Sequence, residues 1–224
     1  MLLIPYEIET LQQVRPWANW SIVGACVLMF LLEMFGGVSD ETFDTLVLDG
    51  WRFPGLVGHV LLHGGLLHLV GNMVFLWVFG NAVCTNTNNG AYLLLFLACT
   101  LLAAAVHVIA DGSLAIGASG AINGIVGLVL VMYPLNRVSV LWWIVITGGT
   151  KEIRAWVIIL LWFAFDVWGA FMGGGSIAYW AHLGGLAGGV GVGMLALKMG
   201  WIELTEYDNR SLLQILSGEK EELG

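Results

Sequence analysis

The chain has 224 residues, of which 58% are hydrophobic and 11% are charged. A soluble domain carries about a quarter charged residues, so this composition excludes an ordinary soluble fold and indicates a polytopic protein of the lipid bilayer. The formal net charge of −8 also argues against nucleic acid as a partner.

Six apolar stretches approach the roughly 20 residues that a helix needs to cross a bilayer. In chain order they cover residues 17–36, 60–82, 91–110, 116–133, 154–172 and 177–199. The predicted fold is therefore all-α, a polytopic bundle of six transmembrane helices. The longer connections, 37–59 and 134–153, are expected to be loops outside the bundle.

The basic residues predict the orientation, because loops that stay in the cytoplasm retain Lys and Arg. With six spans and the N-terminus inside, seven of the eight basic residues lie on the inner side and only Arg52 lies outside. Both termini are therefore expected in the cytoplasm, as a segment at 1–16 and a tail at 201–224 that flank the helical domain at 17–200. No signal-peptide cleavage site precedes the first span, and the expected location is the inner membrane of a bacterium.

Four polar side chains fall at one predicted depth in three different spans. Ser119 lies near the start of span four and His182 near the start of span six, whereas His68 and Asn72 share a face of span two because they are four residues apart. With a rise of about 1.5 Å per residue, all four lie roughly 5–15 Å below the outer surface. Polar and ionisable groups are costly in lipid, so this cluster predicts a functional site.

The residue types in this cluster suit acyl transfer. Serine becomes a nucleophile when a neighbouring base removes its proton, and His182 is the histidine at the matching depth on a helix suited to pack against span four. His68 and Asn72 can donate hydrogen bonds, and with the Ser119 backbone N–H they could form an oxyanion hole. The alternatives are a structural, hydrogen-bonded His182 and a His68–Asn72 pair that only links helices.

Glycines recur at helical spacing on spans four and six. Gly117 and Gly120 precede and follow Ser119, and Gly185 and Gly189 share a face of span six with His182. Small residues repeated at this spacing let two membrane helices approach closely. Such an approach would bring the serine side chain within about 3 Å of the imidazole.

The sequence indicates no cofactor and no metal site. The three cysteines lack the spacing of metal ligands. His59 and His63 are four residues apart, but no glutamate lies between them to activate a zinc-bound water, and we expect them to organise the outer loop. Asp166 in span five has no second intramembrane aspartate as a partner, and it is predicted to be a structural hydrogen-bonding residue.

Taken together, these motifs resemble those of the rhomboid family of intramembrane serine proteases. The matching pattern is His59-x3-His63-x4-His68-x3-Asn72, Gly117-x-Ser119-Gly120 and Ala181-His182-x2-Gly185-x3-Gly189, with Trp51-Arg52 in the outer loop. The resemblance covers about residues 15–200. It implies a Ser–His dyad with Ser119 as nucleophile and His182 as base, and an oxyanion hole formed by His68, Asn72 and the Ser119 amide.

The resemblance also implies that the partners are transmembrane protein substrates, which are cut near the outer end of their helix. Span five, at about 156–171, and the loop at 172–176 would move to admit them. Many rhomboids stack an aromatic ring on the catalytic imidazole one turn below the serine. This chain has Asn123 there, which cannot stack as well but could hydrogen-bond His182 and fix its tautomer. The alternative function is that of a catalytically inactive rhomboid-like protein that binds transmembrane clients, although such proteins typically lack the serine or the histidine. The sequence does not specify an oligomeric state.

Overall fold

The computed structural model describes residues 2–11, 13–144, 146–173, 177–205 and 209–218, and most of them are helical. The helices are α1 (Trp17–Met34), α2 (Asp40–Leu46), α3 (Phe53–Gly58), α4 (Leu66–Phe75), α5 (Asn81–Thr87), α6 (Asn89–Ala110), α7 (Ser119–Met132), α8 (Ala155–Met172), α9 (Tyr179–Lys198) and α10 (Leu212–Ser217). The strands are β1 (Leu2–Ile8), β2 (Arg137–Ile144) and β3 (Thr147–Arg154). A single 3₁₀ turn, His59–Leu61, follows α3, and a π turn, Leu76–Gly80, joins α4 to α5.

Among the described residues, five helices are apolar and long enough to cross a membrane, so the chain is a multi-pass membrane protein. They are α1, the continuous helix Leu66–Thr87, α6, α8 and α9. The predicted fourth span corresponds to α7, which is also apolar but has only 14 residues. It begins at Ser119 rather than at residue 116 because Gly117 has a φ of +114°, a value that no helix accommodates.

The second span is displaced relative to the prediction at 60–82. Residues 62–65 are not helical, since Leu62 and Gly65 have extended backbone conformations and two consecutive glycines disfavour a helix. The helix therefore begins at Leu66 and continues to Thr87. As a result, His68 lies in its first turn and Asn72 one turn below.

The all-α prediction needs one addition, a three-stranded antiparallel sheet in the order β1-β2-β3. Leu141 in β2 is paired with Ile4 of β1 on one side and with Thr150 of β3 on the other. Val138 and Val140 are buried while Arg137 is exposed, the alternation of a strand with one face on the core. The connection predicted as a loop at 134–153 is thus largely a β-hairpin, which binds the N-terminal segment as its third strand.

Different connecting segments lie at the two ends of the helical bundle. At one end, the Asn136 side chain donates to the backbone carbonyl of Glu9 and accepts a hydrogen bond from Asn209 Nδ2 at 3.1 Å, so the N-terminal segment, the hairpin and the tail meet. At the other end, Leu48 and Ala115 form an antiparallel bridge between the long outer connection and the segment before α7. The N-terminal segment, the hairpin and the tail thus share one end of the bundle, and the long connection 37–59 shares the other with the segment before α7.

The centre of the bundle is the contact between α7 and α9. A side chain at Gly185 would overlap the carbonyl oxygen of Gly120, and one at Gly189 would overlap that of Gly124. Because the obstacles are backbone atoms, only glycine permits this distance between the helices. The close approach predicted from the glycine spacing is present, and it fixes the N-terminal ends of α7 and α9 beside each other.

Candidate active site

A cavity of about 950 Å³ lies between α4, α7, α8 and α9, next to the segment that precedes α7. Its apolar wall includes Phe75, Val126, Trp162 and Phe165. The four helices contribute the polar side chains of His68, Asn72, Ser119, Asn123, Asp166 and His182, and the segment before α7 contributes Asp111 and Ser113. The structure therefore brings the four polar residues singled out in the sequence into one cavity, together with Asn123 and Asp166.

Ser119 and His182 are in direct contact, with 2.8 Å between the serine Oγ and the imidazole Nε2. Ser119 is the first residue of α7, and its position depends on Gly117, whose backbone N–H donates to the carbonyl of His59 at 2.8 Å. His182 lies in the first turn of α9. Two residues that are 63 positions apart are thus placed by two helix starts that the glycine contact holds together.

The other imidazole nitrogen of His182 contacts Asp166 on α8, with 3.0 Å between Nδ1 and Oδ1. Both side chains are largely buried, at 15% and 16% exposure. An ionised carboxylate can only accept a hydrogen bond, so Nδ1 carries the proton and Nε2 offers its lone pair to the serine hydroxyl. This is the tautomer in which an imidazole can act as a base toward Ser119.

Sequence reasoning treated Asp166 as a structural residue and missed its contact with His182. The available signal was its depth, since Asp166 lies near the outer end of span five, at the level of the other four polar groups. What the sequence did not contain was the direction in which α8 presents this side chain.

Asn123 does not hydrogen-bond His182, although its residue type would allow it. Its amide Nδ2 donates to the backbone carbonyl of Ser119 at 3.0 Å, one turn earlier in the same helix. Short amide side chains within helices commonly bond to the preceding turn in this way. Both ring nitrogens of His182 are moreover already engaged, by Ser119 and by Asp166.

His68 and Asn72 flank the turn that leads to Ser119. The Gly64 N–H donates to His68 Nδ1 at 3.4 Å, so a neutral His68 carries its proton on Nε2. A Cβ built on Gly117 would lie 2.7 Å from His68 Nε2 and 3.6 Å from Asn72 Nδ2, which locates both donors next to this turn. Within the described part of the chain, Asn72 Nδ2 is buried without a hydrogen-bond partner.

The third expected donor is the Ser119 backbone amide. The first N–H groups of a helix have no partner inside the helix, and Ser119 is the first residue of α7. Unpaired buried donors are uncommon in folded proteins, because each forfeits its hydrogen bonds to water. Among the described residues, the buried Asn72 Nδ2 without a partner lies beside the first N–H of α7, which indicates a place where an acceptor from another molecule can bind.

His59 and His63 lie outside the cavity and stabilise the connection before α4. His59 Nδ1 donates to the Gly55 carbonyl at 2.7 Å, while its own carbonyl accepts from Gly117. Burial lowers the pKa of His59, and it lowers the pKa of His63 from 6.5 to about 4, so both are neutral at pH 7. The His63 ring meets His68 edge-on, with 5.2 Å between ring centroids.

Two other predicted features lie away from these contacts. Trp51 and Arg52 are exposed on the outer connection, where Arg52 pairs with Asp49 at 3.2 Å. Of the loop at 172–176, residues 174–176 lie outside the described residues. In the portion that the structure describes, no group of three or more His, Cys, Asp or Glu side chains is arranged to hold a metal ion.

The fold and cavity define a helical, multi-pass membrane protein, and comparison with known proteins identifies its family. The family model of the Rhomboid domain matches residues 49–199. Rhomboid protease GluP of Bacillus subtilis (strain 168) is 31% identical over 192 residues, which are 82% of this chain and 35% of that protein. The chain belongs to the rhomboid family, whose characterised members include intramembrane serine proteases, and it spans about a third of the length of this relative.

Proposed function

We propose that the protein is an intramembrane serine endopeptidase that cleaves transmembrane-helix substrates near the outer membrane face. The observation that carries this proposal is the 2.8 Å contact between Ser119 Oγ and His182 Nε2 inside a cavity of the helical bundle. A serine hydrogen-bonded to a base is the arrangement that produces a nucleophile. Membership of the rhomboid family supports the same reaction class.

The reaction begins when His182 Nε2 takes the Ser119 hydroxyl proton and Oγ attacks the carbonyl carbon of the scissile peptide bond. The carbonyl oxygen becomes negative and accepts hydrogen bonds from His68 Nε2, Asn72 Nδ2 and the Ser119 amide. Each such donor contributes about 2–4 kcal/mol of transition-state stabilisation. The C–N bond then breaks as His182 returns its proton to the leaving amine, which leaves an acyl ester on Ser119.

A water molecule completes the cycle. His182 takes one of its protons, the resulting hydroxide attacks the ester carbonyl, and the proton is returned to Ser119 Oγ as the ester bond breaks. Every proton moves between groups of the protein, the peptide and water. The cycle therefore uses no metal ion and no organic cofactor.

The substrate helix enters between spans two and five, which here are α4 and α8. In support of this route, both helices line the cavity, and the buried residues of α8 are Ala155, Ile158 and Ile159 at one end only. Beyond this end, α8 contacts its neighbours through individual side chains: Trp162 packs on Phe75, with 4.8 Å between ring centroids, and Asp166 meets His182. An outward movement of α8 would have to break these contacts. A locally unwound substrate would expose the peptide bond to Ser119.

The proposed topology places both termini in the cytoplasm of a bacterium and the cavity toward the outer face, with residues 17–200 as the six-helix catalytic domain. The distribution of basic residues supports this orientation. The meeting of the N-terminal segment, the hairpin and the tail at one end of the bundle supports it as well.

The test is labelling of the detergent-purified protein with a fluorophosphonate, alongside cleavage of a model transmembrane substrate. Wild type should react, whereas Ser119→Ala and His182→Ala should neither label nor cleave. Ser21→Ala is the matched control, since Ser21 is an exposed serine of α1 that bonds only to the carbonyl of Trp17. It should behave as wild type.

Two results would contradict the proposal. Labelling of Ser119→Ala at the wild-type rate would show that another residue is the nucleophile. A folded wild-type protein that neither labels nor cleaves would favour the client-binding function instead.

A further inference from the structure

Asp166, His182 and Ser119 form a continuous chain of hydrogen bonds across α8, α9 and α7. The distances are 3.0 Å from Asp166 Oδ1 to His182 Nδ1 and 2.8 Å from His182 Nε2 to Ser119 Oγ. We infer that Asp166 is a positioning residue that holds His182 in the tautomer able to accept the serine proton. This rests on the proposed function, and it goes beyond the Ser–His dyad that the family resemblance implies.

The imidazole has few other means of being held in place. An aromatic ring stacked from α7 is absent, because that position is occupied by Asn123, whose side chain is turned to the Ser119 carbonyl. Tyr179 approaches the imidazole edge-on, at 6.2 Å between centroids, and such a contact does not select a tautomer. The bond to Asp166 therefore determines which ring nitrogen carries the proton.

The surroundings of Asp166 show that its carboxylate is not an incidental surface group. It is the single charged residue of α8, and its side chain is 16% exposed between aromatic residues of the same helix. A carboxylate in an apolar span is costly and is retained where it serves a partner. The described partner of this carboxylate is His182.

The carboxylate also acts during the proposed reaction. When Nε2 takes the serine proton, the ring becomes an imidazolium, and a negative charge 3.0 Å from Nδ1 stabilises it. The Nδ1 proton stays on the ring throughout, so no proton passes to Asp166. An asparagine at this position has no negative charge to stabilise the imidazolium. When its N–H faces Nδ1, it also favours the tautomer protonated on Nε2, which cannot accept a proton from Ser119.

This difference separates a positioning role from a merely structural one. If Asp166 only joins α8 to α9, the isosteric Asp166→Asn keeps a hydrogen bond and should retain activity. If it positions His182, Asp166→Asn should lower kcat by about 10²–10⁴-fold with KM and Tm nearly unchanged. Asp166→Glu restores a carboxylate, so its kcat should be at least about tenfold higher than that of Asp166→Asn.

The assays are cleavage kinetics on a model transmembrane substrate and the rate of fluorophosphonate labelling. Glu33→Gln is the matched control, because it neutralises a partly buried carboxylate of α1 outside the cavity, and it should leave both rates at the wild-type level. Asp166→Asn with a kcat within about threefold of wild type would overturn the inference. If Asp166→Asn is too unstable to assay, Asp166→Ala is measured instead. A near-wild-type kcat for Asp166→Ala would overturn the inference, and a loss of about 100-fold would support it.

Labelling of the wild-type protein distinguishes failure of the proposed function from failure of the proposed role of Asp166. Absence of Ser119-dependent labelling in folded wild type would overturn the proposed function, and the Asp166 role with it. Normal labelling in wild type that Asp166→Asn retains would overturn only the role of Asp166.

Discussion

Replacing Gly185 by alanine should separate the two helices that carry the proposed catalytic pair. The new Cβ would overlap the Gly120 carbonyl oxygen and lie 3.2 Å from the Gly124 nitrogen. Non-bonded carbon atoms pack at about 3.5–4.0 Å, and a carbon–oxygen contact needs only slightly less, so α7 and α9 must part by at least about 1 Å. The 2.8 Å contact between Ser119 and His182 would then lengthen to about 3.8 Å, which is beyond hydrogen-bonding distance.

The expected effect is large on activity and moderate on stability. A displacement of about 1 Å between reacting groups lowers the rate by about 100-fold, and overpacking of a close interface costs about 1–3 kcal/mol. The measurements are kcat on a model transmembrane substrate and Tm in detergent. Gly191→Ala on the same helix is the control, because a Cβ at Gly191 would meet nothing within 4 Å.

The control should keep its activity and gain up to about 1 kcal/mol, since alanine is a better helix former than glycine. Equal kcat and equal Tm for Gly185→Ala and Gly191→Ala would refute the reasoning. Such a result would mean that the contact between α7 and α9 does not set the distance between Ser119 and His182.

Three further substitutions test other parts of the site. Burial lowers the pKa of His63 to about 4, so below pH 6.5 the unfolded chain binds a proton that the folded protein excludes. The free energy of unfolding should therefore fall by about 3 kcal/mol on acidification from pH 6.5 to 4. Between pH 7 and 4.5, the Tm of His63→Gln should fall by less than that of wild type, and an equal fall would contradict this. Asn72→Ala should lower kcat by about 10²–10³-fold with little change in KM, and unchanged steady-state kinetics would exclude Asn72 from the oxyanion hole. Gly117→Ala should lower kcat at least about tenfold, because its Cβ would lie 2.7 Å from His68 Nε2. Gly112→Ala also places an alanine at a positive φ, +73°, but away from His68, and similar kinetics for these two variants would show that backbone strain alone is responsible.

The sequence predicted the contact of Ser119 with His182 because each constraint on it is local. A helix start sets the depth of each residue, and glycines at helical spacing mark the faces that meet. Both kinds of information are readable within one span. The same reasoning placed His68 and Asn72 on one face of the second helix.

Features that depend on distant segments were not predictable in this way. The strand Leu2–Ile8 exists because it pairs with Arg137–Ile144, more than 130 residues later, and nothing within its seven residues specifies that partner. The contact of Asp166 with His182 depends on the rotation of α8 about its axis. A helix with apolar residues on all sides does not reveal that rotation in its sequence.

The packing of α8 gives it the properties of a lever. Its fulcrum is the buried end at Ala155, where the chain leaves the sheet, and Asp166 lies 11 residues beyond, or about 16 Å along the axis. A tilt of about 10° around this fulcrum would carry the Asp166 carboxylate about 3 Å from His182, by simple geometry on that arm. If α8 tilts outward to admit a substrate, as proposed above, that movement would disconnect Asp166 from His182, and the return movement would reconnect them. Substrate entry and peptide-bond cleavage would then occur in alternating conformations. The open protein would therefore not cleave other membrane proteins that contact it.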